Sequence, residues 1–217
     1  MIFRESQRFI FVHIPKTGGT SIEATLSQYF LGKNLPELTV NEACQYALPK
    51  RGTGLQHLKL FQYEKRYNVH SDEFFSFAFV RNPWDLVASE IRYFQKYEQV
   101  TFNRPTFLEN VRILVNYKGA LWGHDFSPQY NYLRNKKGRF GVSFLGRFET
   151  LQTDFDKVSA CLGIEARKLP EVFTTSHGHP HYSQIYDDES RELVSKHFAL
   201  DIEAFNYLFE ESPARMG

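Results

Sequence analysis

Residues 8–30, RFIFVHIPKTGGTSIEATLSQYF, contain the pattern from which the fold of the whole chain can be inferred. The apolar run over residues 9–12 predicts a buried strand, and turn-forming residues interrupt it at 15–19. A helical pattern follows, which predicts a helix over residues 19–31. A strand, a glycine turn and a helix in this order gather backbone N–H groups and the positive end of the helix dipole around one point.

The turn also carries side chains that suit an anion. Lys16 brings a full positive charge, and the hydroxyl groups of Thr17, Thr20 and Ser21 can donate hydrogen bonds. A Gly-Gly pair after a strand is often only a tight turn, but the preceding lysine and the following Thr-Ser pair favour an anion site. We therefore predict that this turn binds a phosphate or sulfate group.

Two more apolar runs, at residues 74–80 and 143–148, predict two more strands. Because strands alternate with helical patterns, we predict an α/β protein with a mainly parallel central sheet flanked by helices. Ligands of such sheets bind beyond the carboxyl ends of the strands. Lys16 and Arg81 each follow a predicted strand, so both side chains are expected to converge at that edge.

Residues 1–217 are expected to form a single domain. The remaining helices are predicted from apolar periodicity and from the positions of glycine and proline residues. Asn82 and Pro83 suit the start of a helix that extends to about residue 97. Further helices are predicted over residues 41–48, 57–66, 105–115, 127–133, 150–162 with Thr150 as its cap, 188–198 after Asp187, and 201–210, with loop at 163–186.

Composition narrows the classes of function. The chain has 217 residues, 42% hydrophobic, and a net charge of +1, so no overall field selects nucleic acid or an anionic membrane. The opening residues are too polar for a signal peptide, and no apolar run is long enough to span a membrane. Cys44 and Cys161 have no metal or redox spacing, which favours reduced thiols and a cytoplasmic location. The oligomeric state stays open.

The first turn differs from the phosphate loop of ATP-dependent enzymes. That loop has two glycines before its lysine, whereas this chain has Ile10 and Pro15 at the corresponding positions. The second strand ends in Arg81 rather than in an aspartate that would hold Mg²⁺. A sulfuryl group fits this pattern, because a nucleophile can approach its single negative charge without a divalent ion, and a lysine can stabilise the departing phosphate.

Two motifs carry a family resemblance. IPKTGGTS at 14–21 and FAFVRNPWDLVASEIRYF at 77–94 resemble the sulfotransferases that depend on 3′-phosphoadenosine 5′-phosphosulfate (PAPS), most closely the carbohydrate-type branch and its small bacterial members. The similarity extends through residues 127–133 and 144–158 to the C-terminal helices. It implies a P-loop-like sulfotransferase fold, with PAPS as donor and adenosine 3′,5′-bisphosphate as product.

The resemblance also implies roles for single residues. Arg81 and Ser89 would hold the 3′-phosphate, although Leu86 stands where such motifs commonly have an arginine. From the residues alone, an ion pair between Arg81 and Asp85 is an equal alternative, and Ser89 could be a helix-face serine. The residues implied for the 5′-phosphosulfate are Lys16, Thr17, Gly18, Gly19, Thr20 and Ser21, with Lys16 also catalytic.

His57 is the candidate general base. An acceptor hydroxyl must lose its proton as it attacks sulfur, and a neutral imidazole suits that task near pH 7. The alternative is a histidine that caps or packs the following helix. His13, beside the turn, is interpreted as a packed residue.

The late loop is the third candidate element. Ser176, His177 and Tyr182 are predicted to form a lid over the nucleotide. The alternating histidines of this loop could suggest a metal, but no carboxylate or cysteine stands among them and Gly178 and Pro180 indicate loop, so no metal is predicted.

The sequence therefore predicts a sulfotransferase that acts on a hydroxyl of a glycan or a small molecule by in-line attack, without nucleic acid. An ATP-dependent small-molecule or nucleotide kinase, or a non-catalytic nucleotide-binding module, is the alternative. The basic run of Lys136, Lys137 and Arg139 is interpreted as a solvated loop, with contact to an anionic acceptor as its alternative.

Overall fold

The computed structural model describes residues 2–4, 8–31, 56–97, 105–116, 126–171 and 180–210. They group into two compact units: the first holds the described parts of 1–80 and 129–173, and the second those of 81–119, 125–128 and 174–217. The single domain over 1–217 stays a prediction, and the predicted helix at 41–48 lies outside the described residues.

Within the described residues the chain forms four strands and seven α-helices. The first unit contains all the strands and three of the helices, and the second unit contains the other four helices. The elements are β1 (Ile2–Arg4), β2 (Phe9–Val12), α1 (Gly19–Leu31), α2 (Leu60–Tyr67), β3 (Phe75–Val80), α3 (Pro83–Tyr97), α4 (Phe107–Asn116), β4 (Phe144–Arg147), α5 (Leu151–Leu162), α6 (Asp188–His197) and α7 (Ala199–Phe205).

The sheet of the first unit has the order β1-β2-β3-β4. β2, β3 and β4 are parallel, and β1, which the sequence did not predict, is antiparallel to β2. Val12 pairs with Ala78 and Val80 pairs with Arg147, so the carboxyl ends of the parallel strands share one edge. The predicted α/β class with a mainly parallel sheet is confirmed.

Helices α1 and α5 cover one face of this sheet. Alternate residues of β2 and β3 point to that face, because side chains along a strand alternate between its two sides. The buried cluster they form with the helices consists of Phe9, Phe11, Ile22, Leu26, Phe77, Phe79, Phe155, Val158 and Leu169. This packing fixes the start of α1 against the end of β2, where the candidate anion site lies.

Two predicted helix bounds were wrong by three residues or more, each because of a local hydrogen bond. The helix predicted from residue 57 begins at Leu60, since the N–H of the extended Lys59 donates to the Gln62 side chain at 2.7 Å. The last helix was predicted over 201–210 but ends at Phe205, because Asn206 takes a left-handed φ of 53° and its N–H donates to Ile202.

Thr150 precedes α5 as predicted but does not act as a side-chain cap. Its hydroxyl donates to Asp154 Oδ2 at 2.7 Å instead of accepting from a backbone N–H. Burial of Asp154 acts against its charge, but hydrogen bonds from Lys157, Thr150 and the Arg147 N–H hold its pKa below the ordinary value. Asp154 thus joins the start of α5 to the end of β4.

In the second unit α6 packs against α3 and α4. Asn82 caps α3 as predicted: its Oδ1 accepts from the Trp84 N–H at 3.1 Å, and its amide donates to the Leu208 carbonyl. Asp187 caps α6, accepting from the Ser190 N–H at 2.8 Å. None of the helices formed by the described residues is both long and apolar enough to cross a membrane.

Glu64, a buried carboxylate on α2, ties this helix to two loops of the first unit. One oxygen accepts from the Ser71 N–H at 2.9 Å and the other from the Lys136 N–H at 2.5 Å. Burial acts to raise the pKa of Glu64, but these hydrogen bonds outweigh it and hold the pKa below its ordinary value of 4.5.

Protonation of Glu64 is therefore expected to destabilise the fold in acid. Because its folded-state pKa is lowered, its stabilising contribution is complete above about pH 4.5 and is lost as pH falls through the folded-state value. Glu64→Gln should be less stable than the parent at pH 7, and the difference should narrow toward pH 3. Urea unfolding between pH 7 and 3 measures this, with exposed Asp72→Asn as control. If the free energies of unfolding of the parent and of Glu64→Gln change in parallel with pH, this expectation is contradicted.

Candidate active site

The turn between β2 and α1 has an unusual backbone. Lys16 has φ 62° and Gly18 has φ 81°, both in the left-handed region. Left-handed residues within a turn direct successive N–H groups toward a common point, which forms an anion-binding concavity. For a lysine this conformation costs about 1 kcal/mol or more, so the surrounding packing must maintain it.

Hydrogen bonds fix the start of α1. The N–H groups of Ser21 and Ile22 both donate to the Gly18 carbonyl, at 3.1 and 3.3 Å. The first N–H groups of a helix have no acceptor within the helix, so those of Gly19 and Thr20 form its open end. The buried Thr17 hydroxyl donates to the Ile14 carbonyl at 2.9 Å, so it holds the turn closed.

The two glycines of the turn are required for different reasons. At Gly18 the positive φ disfavours any side chain, and a Cβ there would also lie 2.6 Å from a methyl group of Leu151. Gly19 has an ordinary backbone conformation, but a Cβ there would lie 2.1 Å from the His13 ring. The start of α1 therefore passes directly against the imidazole of His13.

His13 is buried, as the sequence predicted, but it has polar contacts that the sequence did not reveal. Its Nδ1 lies 3.1 Å from Oε1 of Glu23, a fully buried carboxylate on α1. Its ring stacks on Phe11 and meets the His57 ring edge-on, with centroids 4.6 Å apart. The contact between the two histidines brings residue 57 next to the turn.

His57 is held by the backbone of the strand end. Its Nδ1 lies 3.0 Å from the His13 carbonyl, and a carbonyl can only accept, so Nδ1 carries a proton; in the neutral imidazole, Nε2 then carries the lone pair. Tyr63, six residues after His57 and on α2, donates its hydroxyl hydrogen to the Phe11 carbonyl at 3.0 Å. Burial, with a smaller effect of Tyr67, raises the pKa of Tyr63, so it stays a donor. His57 is half-buried in the turn before α2.

The second unit holds Arg81 and Ser89, both buried; Arg81 lies just before α3 and Ser89 lies within it. Arg81 Nε donates to Asp85 Oδ2 at 2.8 Å, so the ion pair considered as an alternative is formed. Asp85 and Ser89 are spaced by four on α3 and therefore form a stripe on one side of the helix. Arg81, which precedes the helix, is tied to this stripe by its ion pair with Asp85.

Arg92 continues this stripe and was missed by the sequence analysis. It donates to the Pro180 carbonyl at 2.9 Å. Burial lowers its pKa; Asp85 opposes the shift, and Arg81 adds to it, so the two guanidinium groups are close enough to repel. The spacing of three from Ser89 was a signal that could have revealed it.

Tyr182, predicted to belong to the lid, is buried in the second unit. Its hydroxyl accepts from the Glu210 N–H at 2.9 Å, and its ring meets Phe209 edge-on. Ser176 and His177 lie outside the described residues. No cluster of three or more His, Cys, Asp or Glu side chains in the described part of the chain is arranged to hold a metal ion.

One comparison with known protein families agrees with the motifs. A model of the sulfotransferase family matches residues 1–208. Among solved structures, the chain is similar to that of mouse sulfotransferase SULT7A1 complexed with PAP, with 16% identity, 96% of this chain and 70% of that chain covered, and a TM-score of 0.42. No curated protein matches it. Because the family match spans almost the entire length, this chain belongs to the sulfotransferase family, the enzymes whose sulfate donor is PAPS.

Proposed function

We propose that this enzyme transfers the sulfuryl group of PAPS to a hydroxyl group of a glycan or a small molecule by in-line attack. The observation that carries the proposal is the turn after β2, where Lys16 in a left-handed conformation precedes the open N-terminus of α1. Backbone N–H groups and a lysine ammonium group are the donors that suit the charge on a departing phosphate. An exposed Cys161 thiol also suits the reducing cytoplasm as the site of action.

In this mechanism His57 accepts the proton of the acceptor hydroxyl at Nε2. The hydroxyl oxygen forms a bond to sulfur while the bond from sulfur to the bridging phosphate oxygen breaks. Lys16 neutralises the negative charge on that oxygen, which leaves with adenosine 3′,5′-bisphosphate. The hydrogen bond from His57 Nδ1 to the His13 carbonyl supports this role, because it leaves Nε2 as the basic nitrogen.

The nucleotide is proposed to be held at both ends. Gly18, Gly19 and Thr20 would contribute backbone N–H groups to the 5′-phosphosulfate. Thr17, whose hydroxyl already donates to the Ile14 carbonyl, would contribute its N–H, and Ser21, whose N–H already donates to the Gly18 carbonyl, would contribute its hydroxyl. Arg81 and Ser89 would hold the 3′-phosphate, and Ser176, His177 and Tyr182 would cover the nucleotide. The Arg81–Asp85 pair is compatible with this role, since Asp85 accepts from Nε at 2.8 Å and so orients the guanidinium group.

A thermal-shift comparison of nucleotides tests the proposal. Adenosine 3′,5′-bisphosphate at about a hundred times its Kd is expected to raise the Tm by about 5–10 °C, more than adenosine 5′-monophosphate at the same concentration. The difference between the two ligands reports the 3′-phosphate site, so Arg81→Gln should remove it. Lys96→Gln, an exposed residue at the other end of α3, is the control.

Other results would point elsewhere. A larger shift with ATP and Mg²⁺ than with the bisphosphate would favour a kinase. Binding of the bisphosphate without donor consumption, across a panel of hydroxyl acceptors, would favour a non-catalytic module.

A further inference from the structure

Helix α1 buries a carboxylate that the proposed mechanism does not use. Glu23 is 0% exposed, whereas glutamate side chains are almost never fully buried unless they are paired. Transfer of a carboxylate out of water is costly, and an apolar side chain in place of a buried ion pair is often at least as stable. The burial of Glu23 therefore points to a role other than stability.

Glu23 lies against the imidazole of His13, the residue that follows β2. Its Oε1 is 3.1 Å from His13 Nδ1. One proton must lie between these atoms, because a carboxylate oxygen and a lone pair on nitrogen would repel each other at this distance. Since an imidazole takes up a proton more readily than a carboxylate does, Nδ1 carries that proton and donates to the charged carboxylate.

Helix α1 holds the His13 ring at two of its edges. Gly19 and Glu23 are four residues apart, so they lie on the same side of the helix. A Cβ at Gly19 would lie 2.3 Å from His13 Nε2, so this edge of the ring lies against the first turn of α1, and Nδ1 faces Glu23 one turn further on. The contact with Glu23 fixes which way the ring is turned, because a flip would exchange Nδ1 for the carbon Cδ2.

His13 in turn contacts His57 through both its ring and its backbone. The two rings meet edge-on with centroids 4.6 Å apart, and His57 Nδ1 lies 3.0 Å from the His13 carbonyl. The carbonyl fixes one atom of the His57 ring, and the His13 ring limits how far the His57 ring can tilt about that hydrogen bond. The direction of His57 Nε2 therefore depends on two contacts, and Glu23 controls one of them.

We propose that Glu23 is a positioning residue for the candidate base: through the His13 imidazole it orients the ring of His57. The inference rests on the proposed function where it gives this orientation a role in catalysis. The His13 ring separates Glu23 from His57, so the carboxylate does not itself exchange the proton of the acceptor. Proton transfer requires a base within hydrogen-bond reach and in the right direction, so a base that is free to tilt is a slower one.

The first measurement is the geometry itself. Ring protons of His13 and His57 are close enough for a nuclear Overhauser effect, which NMR of the full-length protein detects. Glu23→Met removes the carboxylate at similar side-chain length and should abolish this signal, whereas Glu23→Gln keeps an oxygen that accepts from Nδ1 and should retain it. The control is Ser27→Ala, which removes a buried hydroxyl one turn further along the same side of α1 and should retain the signal.

The second measurement is the rate of PAPS hydrolysis in single turnovers, with water as the acceptor. We expect Glu23→Met to lower this rate about 10–100-fold, and Glu23→Gln and Ser27→Ala to stay within about threefold of the parent. Because Glu23 acts through His57, Glu23→Met should have no further effect when it is added to His57→Ala. Glu23→Leu is a second apolar variant, so the result does not depend on the folding of a single protein.

Two results would overturn the inference: a retained Overhauser effect in the folded apolar variants, or an equal loss of rate with and without His57. The thermal shift with adenosine 3′,5′-bisphosphate is measured on the same samples. If that shift and the loss of rate in His57→Ala are seen but Glu23→Met changes neither readout, the inference fails and the proposed function stands. If the bisphosphate gives no shift and PAPS is not consumed, the proposed function fails, and the Overhauser effect alone decides whether Glu23 positions His57.

Discussion

Replacement of Lys16 by alanine is expected to lower kcat about a thousandfold while the protein stays folded. In the proposed mechanism the ammonium group neutralises charge that develops only as the phosphate departs, and loss of one such group typically costs about 10²–10³ in kcat. The measurement is the rate of bisphosphate release at saturating PAPS, with the Tm as a check on folding. Lys168→Ala, which removes an exposed lysine of the first unit, is the control.

A second substitution at the same position separates chemistry from structure. Since Lys16 has a φ of 62°, Lys16→Gly should relieve strain of about 1 kcal/mol and raise the Tm while it abolishes turnover. If Lys16 had only a structural role, the activity of the variant would instead change in the same direction as its stability. An alanine variant with near-normal kcat would remove Lys16 from the mechanism.

Replacement of His57 by asparagine is expected to lower kcat by about 10²–10⁴, the usual contribution of a general base. Asparagine can still donate to the His13 carbonyl from the position of Nδ1, so the segment before α2 should keep its anchor. It has no basic nitrogen at the position of Nε2. Single-turnover rates at saturating PAPS measure the effect on the chemical step.

Comparison with His57→Ala shows whether the anchor or the base matters. If both variants lose rate alike and the bisphosphate still binds normally, the base is the important group. If asparagine restores the rate that alanine loses, His57 serves only to hold the segment, and the proton goes to another group or to water.

The elements around the turn could be predicted from sequence almost to the residue. Phe9–Val12 and Gly19–Leu31 match the prediction because an uninterrupted apolar run, a glycine pair and a helical apolar face are all local signals. The start of α2 could not be predicted, because the sequence pattern is equally compatible with a helix that begins at residue 57. The hydrogen bond from the Lys59 N–H to the Gln62 side chain decides between the two starts. Asn206 ends α7 by adopting a left-handed conformation that its neighbours in sequence do not require.

The candidate site was only partly predictable for a different reason. Lys16 and the glycines stand in one motif, so their proximity follows from chain connectivity. The contact between His57 and the His13 carbonyl joins residues 44 positions apart, and it depends on how α2 is anchored to β2. The position of the loop at residue 136 likewise depends on its hydrogen bond to Glu64, which no periodicity in the sequence reports.

The different constraints on Gly18 and Gly19 determine which substitutions this turn can accept during evolution. A side chain at position 18 is strained by the handedness of the backbone itself, and no neighbouring substitution removes that cost. At position 19 the conflict is with one imidazole, and a smaller residue at position 13 could make room. That repair would also withdraw the ring that touches His57 and Glu23. Any lineage that accepts a larger residue at 19 must therefore find a new way to support residue 57, the proposed base.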